Sequence, residues 1–124
     1  MIPVYLILIF ITYDWTTRKY LFSNNDIKKN IAIAEIIKVE PGARTAPTFE
    51  YFLIVNQKRY NGSNWVTDKI RELGISRIKK RYIGKKFLVR FVVENPNYSE
   101  LLINKPVNDS TLIAPEYGWP ELPF

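Results

Sequence analysis

Arg77, Lys79, Lys80, Arg81, Lys85 and Lys86 supply six basic side chains within the twelve residues 75–86, the sharpest charge feature of the chain. Guanidinium and ammonium groups at that density suit phosphates, on a membrane surface or a nucleic acid, with Tyr82 and Trp65 as candidate stacking partners. A plainer reading competes: a solvated loop leading into a strand, where lysines also discourage edge-to-edge pairing. Alternation cannot show whether the aromatics lie on an exposed sheet face, so the plainer reading is preferred and nucleic acid is not the expected partner. The six residues stand as candidate contacts to a phosphate or protein partner.

Other chemistry is thinly supplied. The chain has no histidine and no cysteine, so the commonest general base, the commonest metal ligand and any thiolate site are absent. Ser63, Ser76, Ser99 and Ser110 have no histidine to activate them, and no Gly-x-Ser-x-Gly elbow occurs. Glu35, Glu40, Glu50, Asp68, Glu72, Glu94 and Glu100 fall at no diagnostic pairing distance. Asp68 and Glu72 share a helix face, where a helix-dipole role and an ion pair with Arg71 or Lys69 account for them. The five glycines are scattered and form no phosphate-cradling loop. No enzyme, cofactor or metal is therefore expected. The Asn-x-Ser triplets at Asn61, Asn97 and Asn108 are explained by turn formation.

The elements that position these residues begin after residue 30. Hydrophobic content of 47% and aromatic content of 15% in 124 residues are enough for one small packed domain. Residues 31–39 read as a strand with Ile31, Ile33, Ile37 and Val39 on one face, closed by Pro41-Gly42. Residues 49–55 are apolar on both faces, with Phe49, Tyr51, Leu53 and Val55 sharing one of them. Asn56-Gln57 is the natural tip of a tight hairpin, Lys58 to Tyr60 return, and Asn61-Gly62 ends the pair. Ser63 or Asn64 then caps a short helix from Trp65 to Leu73, which Gly74 stops. Residues 87–93 form a strand, Glu94-Asn95-Pro96-Asn97 a turn, and Leu101 to Ile103 a short last strand. The tail, with prolines at 115, 120 and 123 among Tyr117, Trp119 and Phe124, is expected to be extended, packing a few aromatic side chains or lying disordered. The expected fold is mainly β: an antiparallel, barrel-like sheet of four or five strands with one short helix, preceded by an N-terminal hydrophobic helix.

Residues 1–13 carry no charged side chain. A span needs about 20 apolar residues, so the run must extend to Phe22, taking in Asp14, Arg18 and Lys19 near its end. Tyr13, Trp15 and Tyr20 favour the headgroup interface. A secretory signal or a core element are the alternatives, but no basic region precedes the run and no small-x-small cleavage site follows it. The expectation is an uncleaved anchor at 1–22, a linker at 23–30, a β domain at 31–107 and a tail at 108–124, held at a bacterial inner membrane. Arg18, Lys19, Lys28 and Lys29 favour a cytoplasmic domain, whereas a slightly truncated start would favour export, so the side stays open. Of the net charge of +6, residues 30–107 carry +7 and the tail −3. Oligomeric state and partner are not read from the sequence.

Three motifs carry a resemblance. They are Tyr51-x-Leu53-x-Val55-Asn56-x-Lys58-x-Tyr60-x-Gly62, then Gly84-Lys85-Lys86-Phe87-x-Val89-x-Phe91, then Asn95-Pro96-x-x-Ser99-x-Leu101-Leu102. Together, over residues 31–107, they resemble a pattern of small uncharacterised bacterial proteins with an N-terminal hydrophobic anchor and a compact β domain. The sequence departs from that pattern at Gln57, where glycine is frequent, and in a longer helical insert at 65–83. The resemblance implies an anchored, non-enzymatic binding or accessory β module, and transfers no site residue. A soluble partner-binding protein of the immunity type, or nucleic-acid binding through residues 77–86, are the rival readings.

Overall fold

A computed structural model describes residues 19–42 and 46–124. The expected anchor over 1–22 falls mostly outside them; residues 19–23 are helical. No helix among the described residues is long and apolar enough to cross a membrane.

Five antiparallel strands form one curled sheet: β1 (Lys29–Glu40), β2 (Thr48–Val55), β3 (Lys58–Trp65), β4 (Lys86–Val92) and β5 (Asn95–Pro106). Their order is β3-β2-β1-β4-β5. The first three strands make a meander; the chain then crosses over to lay β4 on the free side of β1 and returns as β5. Two helices fill the crossover, α1 (Asp68–Arg71) and α2 (Ile75–Tyr82). The second lies within the 65–83 insert, over residues whose basic run favours a solvated loop on sequence alone; burial of Ile78 against the sheet makes it a helix instead.

Both residues of the β2–β3 turn have positive φ, 51° at Asn56 and 64° at Gln57. That is the backbone whose twist matches a two-residue hairpin. In β2, Phe49, Tyr51, Leu53 and Val55 are buried on one face as their alternation predicts, while Ile54 is 55% exposed. In β1 the four residues read as one face divide: Ile31 and Val39 are buried, Ile33 is half-buried and Ile37 is exposed. Ala32, Ala34 and Ile36 are in the core. Ala34 lies between Leu53 of β2 and Phe87 of β4, so bulky neighbours fill the concave side and small residues suit the central strand. A register shift between Ile36 and Lys38 then turns Val39 back inward.

The sheet curls until its outer strands meet, but a side chain makes the seam. Asn64 Oδ1 of β3 accepts the backbone N–H of Leu101 in β5 at 3.1 Å and the Tyr51 hydroxyl at 2.9 Å. Tyr51 Oη also lies 2.8 Å from Ser99 Oγ of β5. A tyrosine hydroxyl has one proton, and here it goes to Asn64, so Ser99 donates to Tyr51. Gly62, expected to end the hairpin, continues it instead: a Cβ there would lie 2.5 Å from the Tyr51 ring, so only glycine admits that ring. Ser63, Asn64 and Trp65 accordingly belong to β3 and not to a helix.

The two ends of the half-barrel are closed differently. Val66 and Ile78 bring the helices over the end where β1 finishes, and Tyr82 sits with ring centroids 5.1 Å from Phe49 and 6.0 Å from Phe87. At the opposite end the tail crosses the start of β1. Ile31 and Trp119 exchange two backbone hydrogen bonds of 2.7 Å, Asn56 N–H donates to the Glu116 carbonyl, and the Asn30 amide donates to the Tyr117 carbonyl. The tail is thus pinned across the sheet by its backbone at residues 116–119, with turns at 109–112 and 115–118, while Ile113, Tyr117, Leu122 and Phe124 stay exposed.

Candidate anion-binding cleft

α2 has a single fully buried residue, Ile78, with Tyr82 half-buried one turn later. Fixing that face to the barrel leaves Arg77, Lys79, Lys80 and Arg81 exposed. Arg77, Lys80 and Arg81 fall at i, i+3 and i+4 and share one side of the helix. The chain then turns at Ile83-Gly84, where Gly84 N–H donates to the Ile36 carbonyl at 2.7 Å and Ile36 N–H donates to the Lys85 carbonyl at 3.0 Å. Those bonds to the central strand hold Lys85 beside the helix.

The result is an open cleft of about 520 Å³ lined by Leu73, Arg77, Lys80, Arg81 and Lys85. No carboxylate lines it. Among the described residues the ion pairs lie elsewhere: Lys38 with Glu40, Arg71 with Asp68 at 3.2 Å, and Arg90 with Glu100 at 2.9 Å across β4 and β5. The Asp68–Arg71 pair is one anticipated from helical spacing. Glu40 strengthens the positive charge of Lys38, raising its pKa first through a hydrogen bond and then through its charge.

The sequence grouped six cations, and the structure brings four of them together. Lys79 does not line the cleft, and Lys86 begins β4 and borders a separate groove. That groove, about 500 Å³, runs over the convex side of the sheet between Ile33, Phe52 and Ile54 below and Ile113, Ala114 and Pro115 of the tail, with Glu35, Gln57 and Glu116 also lining it. Of the two aromatics considered for stacking, Trp65 is 62% exposed, but Tyr82 is engaged with Phe49 and Phe87 and is not free to stack on a ligand. Leu73, the cleft's apolar member, carries no sequence signal beyond its place at the end of a helix, which Gly74 stops.

No cluster of three metal-ligating side chains occurs among the described residues. Ser99, one of the serines considered for catalysis, holds the β3–β5 seam with Tyr51. Comparison with known proteins returns no matching family model, no similar curated protein and no similar solved structure.

Proposed function

We propose that this protein is a non-enzymatic binding module held at a bacterial membrane by residues 1–22, presenting the half-barrel to a partner away from the bilayer. The uncharged run at residues 1–13 supports the tether. The observation that carries the presentation is the separation of chain entry from cleft. The chain reaches β1 at the tail end, where the Lys28 carbonyl accepts Val93 N–H and Lys29 Nζ donates to the Asn24 carbonyl at 2.8 Å. The cleft hangs from the opposite end, through Ile36. Six steps along the strand separate Asn30 from Ile36, about 20 Å at roughly 3.3 Å each.

The non-enzymatic part rests on the side chains present. Without histidine or cysteine, proton transfer or nucleophilic attack would fall to carboxylates, lysines, tyrosines or unactivated hydroxyls, and of the carboxylates Glu40, Asp68 and Glu100 are each engaged by a neighbouring cation.

Membrane fractionation of the full-length protein tests the tether. Pelleting that resists a high-salt wash is expected, because salt releases a charge-held protein and leaves an apolar anchor in place. Leu8→Arg places a charge in the run at a cost of about 2.5–3.5 kcal/mol at a span centre and should shift protein to the supernatant. Wild-type protein in the supernatant before any wash would overturn the reading.

A further inference from the structure

We infer that Arg77, Lys80, Arg81 and Lys85 form a binding site for the sugar–phosphate backbone of nucleic acid, one that recognises charge and ignores base sequence. Four cations converge on one concavity with no lining carboxylate, although Lys38, Arg71 and Arg90 each have an acidic neighbour. Like charges at i, i+4, as at Arg77 and Arg81, repel one another, and an anionic chain laid in the cleft relieves that repulsion. The two guanidinium groups can each take a phosphate bidentately, and the lysines act as point charges beside them. Along α2, Arg77 and Arg81 are about 6 Å apart, so successive phosphates of one strand can each meet a cation.

The lining also selects among polyanions. Protein interfaces centre on apolar and aromatic residues and are depleted of lysine, whereas here Leu73 is the sole apolar member and two of the four cations are lysines. A phosphodiester chain needs no such apolar centre, because counterion release drives its binding. Headgroups of the protein's own bilayer are disfavoured by the position of the cleft at the end of β1 remote from chain entry, the one point that rests on the tether proposed above. With Tyr82 held between Phe49 and Phe87, no aromatic of the cleft is free to stack on a base, hence the indifference to sequence.

The test uses full-length protein in nanodiscs of zwitterionic lipid, titrated with mixed-sequence oligonucleotides over a range of salt concentrations. Four neutralised phosphates give a slope of log K against log salt of about −2.8 on single strands and about −3.6 on duplex. Arg77→Gln, Lys80→Gln, Arg81→Gln and Lys85→Gln should each flatten that slope by about 0.7–0.9 and weaken binding of every sequence alike. Lys86→Gln and Lys58→Gln, outside the cleft, should leave the slope unchanged, and Arg81→Lys should retain it. Circular dichroism melts accompany each variant to establish that the fold persists. Absence of binding at low salt, or equal losses in the outside variants, would overturn the inference. So would binding confined to nanodiscs or vesicles containing anionic lipid, which would assign the cleft to headgroups. Pelleting reports on the tether independently, so failure of one proposal is not mistaken for failure of the other.

Discussion

Tyr51→Phe removes one oxygen from the seam that holds β3 against β5. Tyr51 is 0% exposed and Ser99 is 1% exposed, so neither hydroxyl has bulk water as a substitute partner. The substitution takes from Ser99 an acceptor at 2.8 Å and from Asn64 one of two donors, while the Leu101 N–H bond of 3.1 Å remains. Losing a hydrogen bond while its partner stays buried costs about 1–3 kcal/mol. For a domain of this size that lowers Tm by roughly 4–8 °C per kcal/mol. Ser99→Ala alone should cost about 1 kcal/mol. Combined with Tyr51→Phe it should cost less than the two separate losses together, by about 1 kcal/mol, since the second change then removes a hydroxyl already deprived of this bond. Thermal melts of the full-length protein in mild detergent, followed by circular dichroism, complete the double-mutant cycle. Strict additivity, or a Tyr51→Phe protein as stable as wild type, would refute the idea that these hydroxyls lock the barrel.

The tail offers two further tests. Gly118 has φ of +81°, and a Cβ there would lie 2.6 Å from the Ile31 carbonyl oxygen and 3.0 Å from the Phe91 ring. Gly118→Ala should therefore break the Ile31–Trp119 bridge, seen in hydrogen exchange as lost protection at Trp119 with β4 and β5 still protected. The Asp109 carboxyl is held below its usual range, first by the Thr111 hydroxyl and then by the Thr111 N–H, 2.6 and 2.9 Å away. A carboxyl lowered on folding favours the folded turn while ionised, and that contribution disappears as pH falls through the lowered value. The Thr111 amide resonance should titrate with a midpoint below that of the same carboxyl in a Thr111→Val protein; equal midpoints would contradict the turn.

Much of the sheet is legible in the sequence where one signal acts alone. Asn56-Gln57 tolerates positive φ, and the alternation of Phe49, Tyr51, Leu53 and Val55 fixes the core face of β2. Reading fails where a tertiary demand overrides the local one. Ile31, Ile33 and Ile37 look like the buried face of β1, but curling around Phe87 and Leu53 places alanines inside, and Trp119 covers Ile31. Gly62-Ser63-Asn64 carries turn residues, yet Gly62 makes room for a tyrosine ring and Asn64 stitches the seam. β5 begins at Asn95 because Pro96 and Ser99 are buried despite their polar surroundings. At the cleft, the basic run is plain in the sequence. Its partition is not: one buried residue, Ile78, orients α2, and hydrogen bonds between Ile36 and the Gly84-Lys85 turn set Lys85 beside Arg81 and separate Lys86 from it. Composition shows neither.

The chain has no cysteine, so a single introduced thiol labels one site cleanly. The direct test is fluorescence of a dye at Asp26→Cys or at Lys80→Cys, in full-length protein reconstituted into liposomes whose headgroups carry a quencher. Strong quenching at position 26 and little at position 80 is the outcome of a module tethered at one end of its barrel with its cations facing off the bilayer. Strong quenching at position 80, or none at either position, would contradict it.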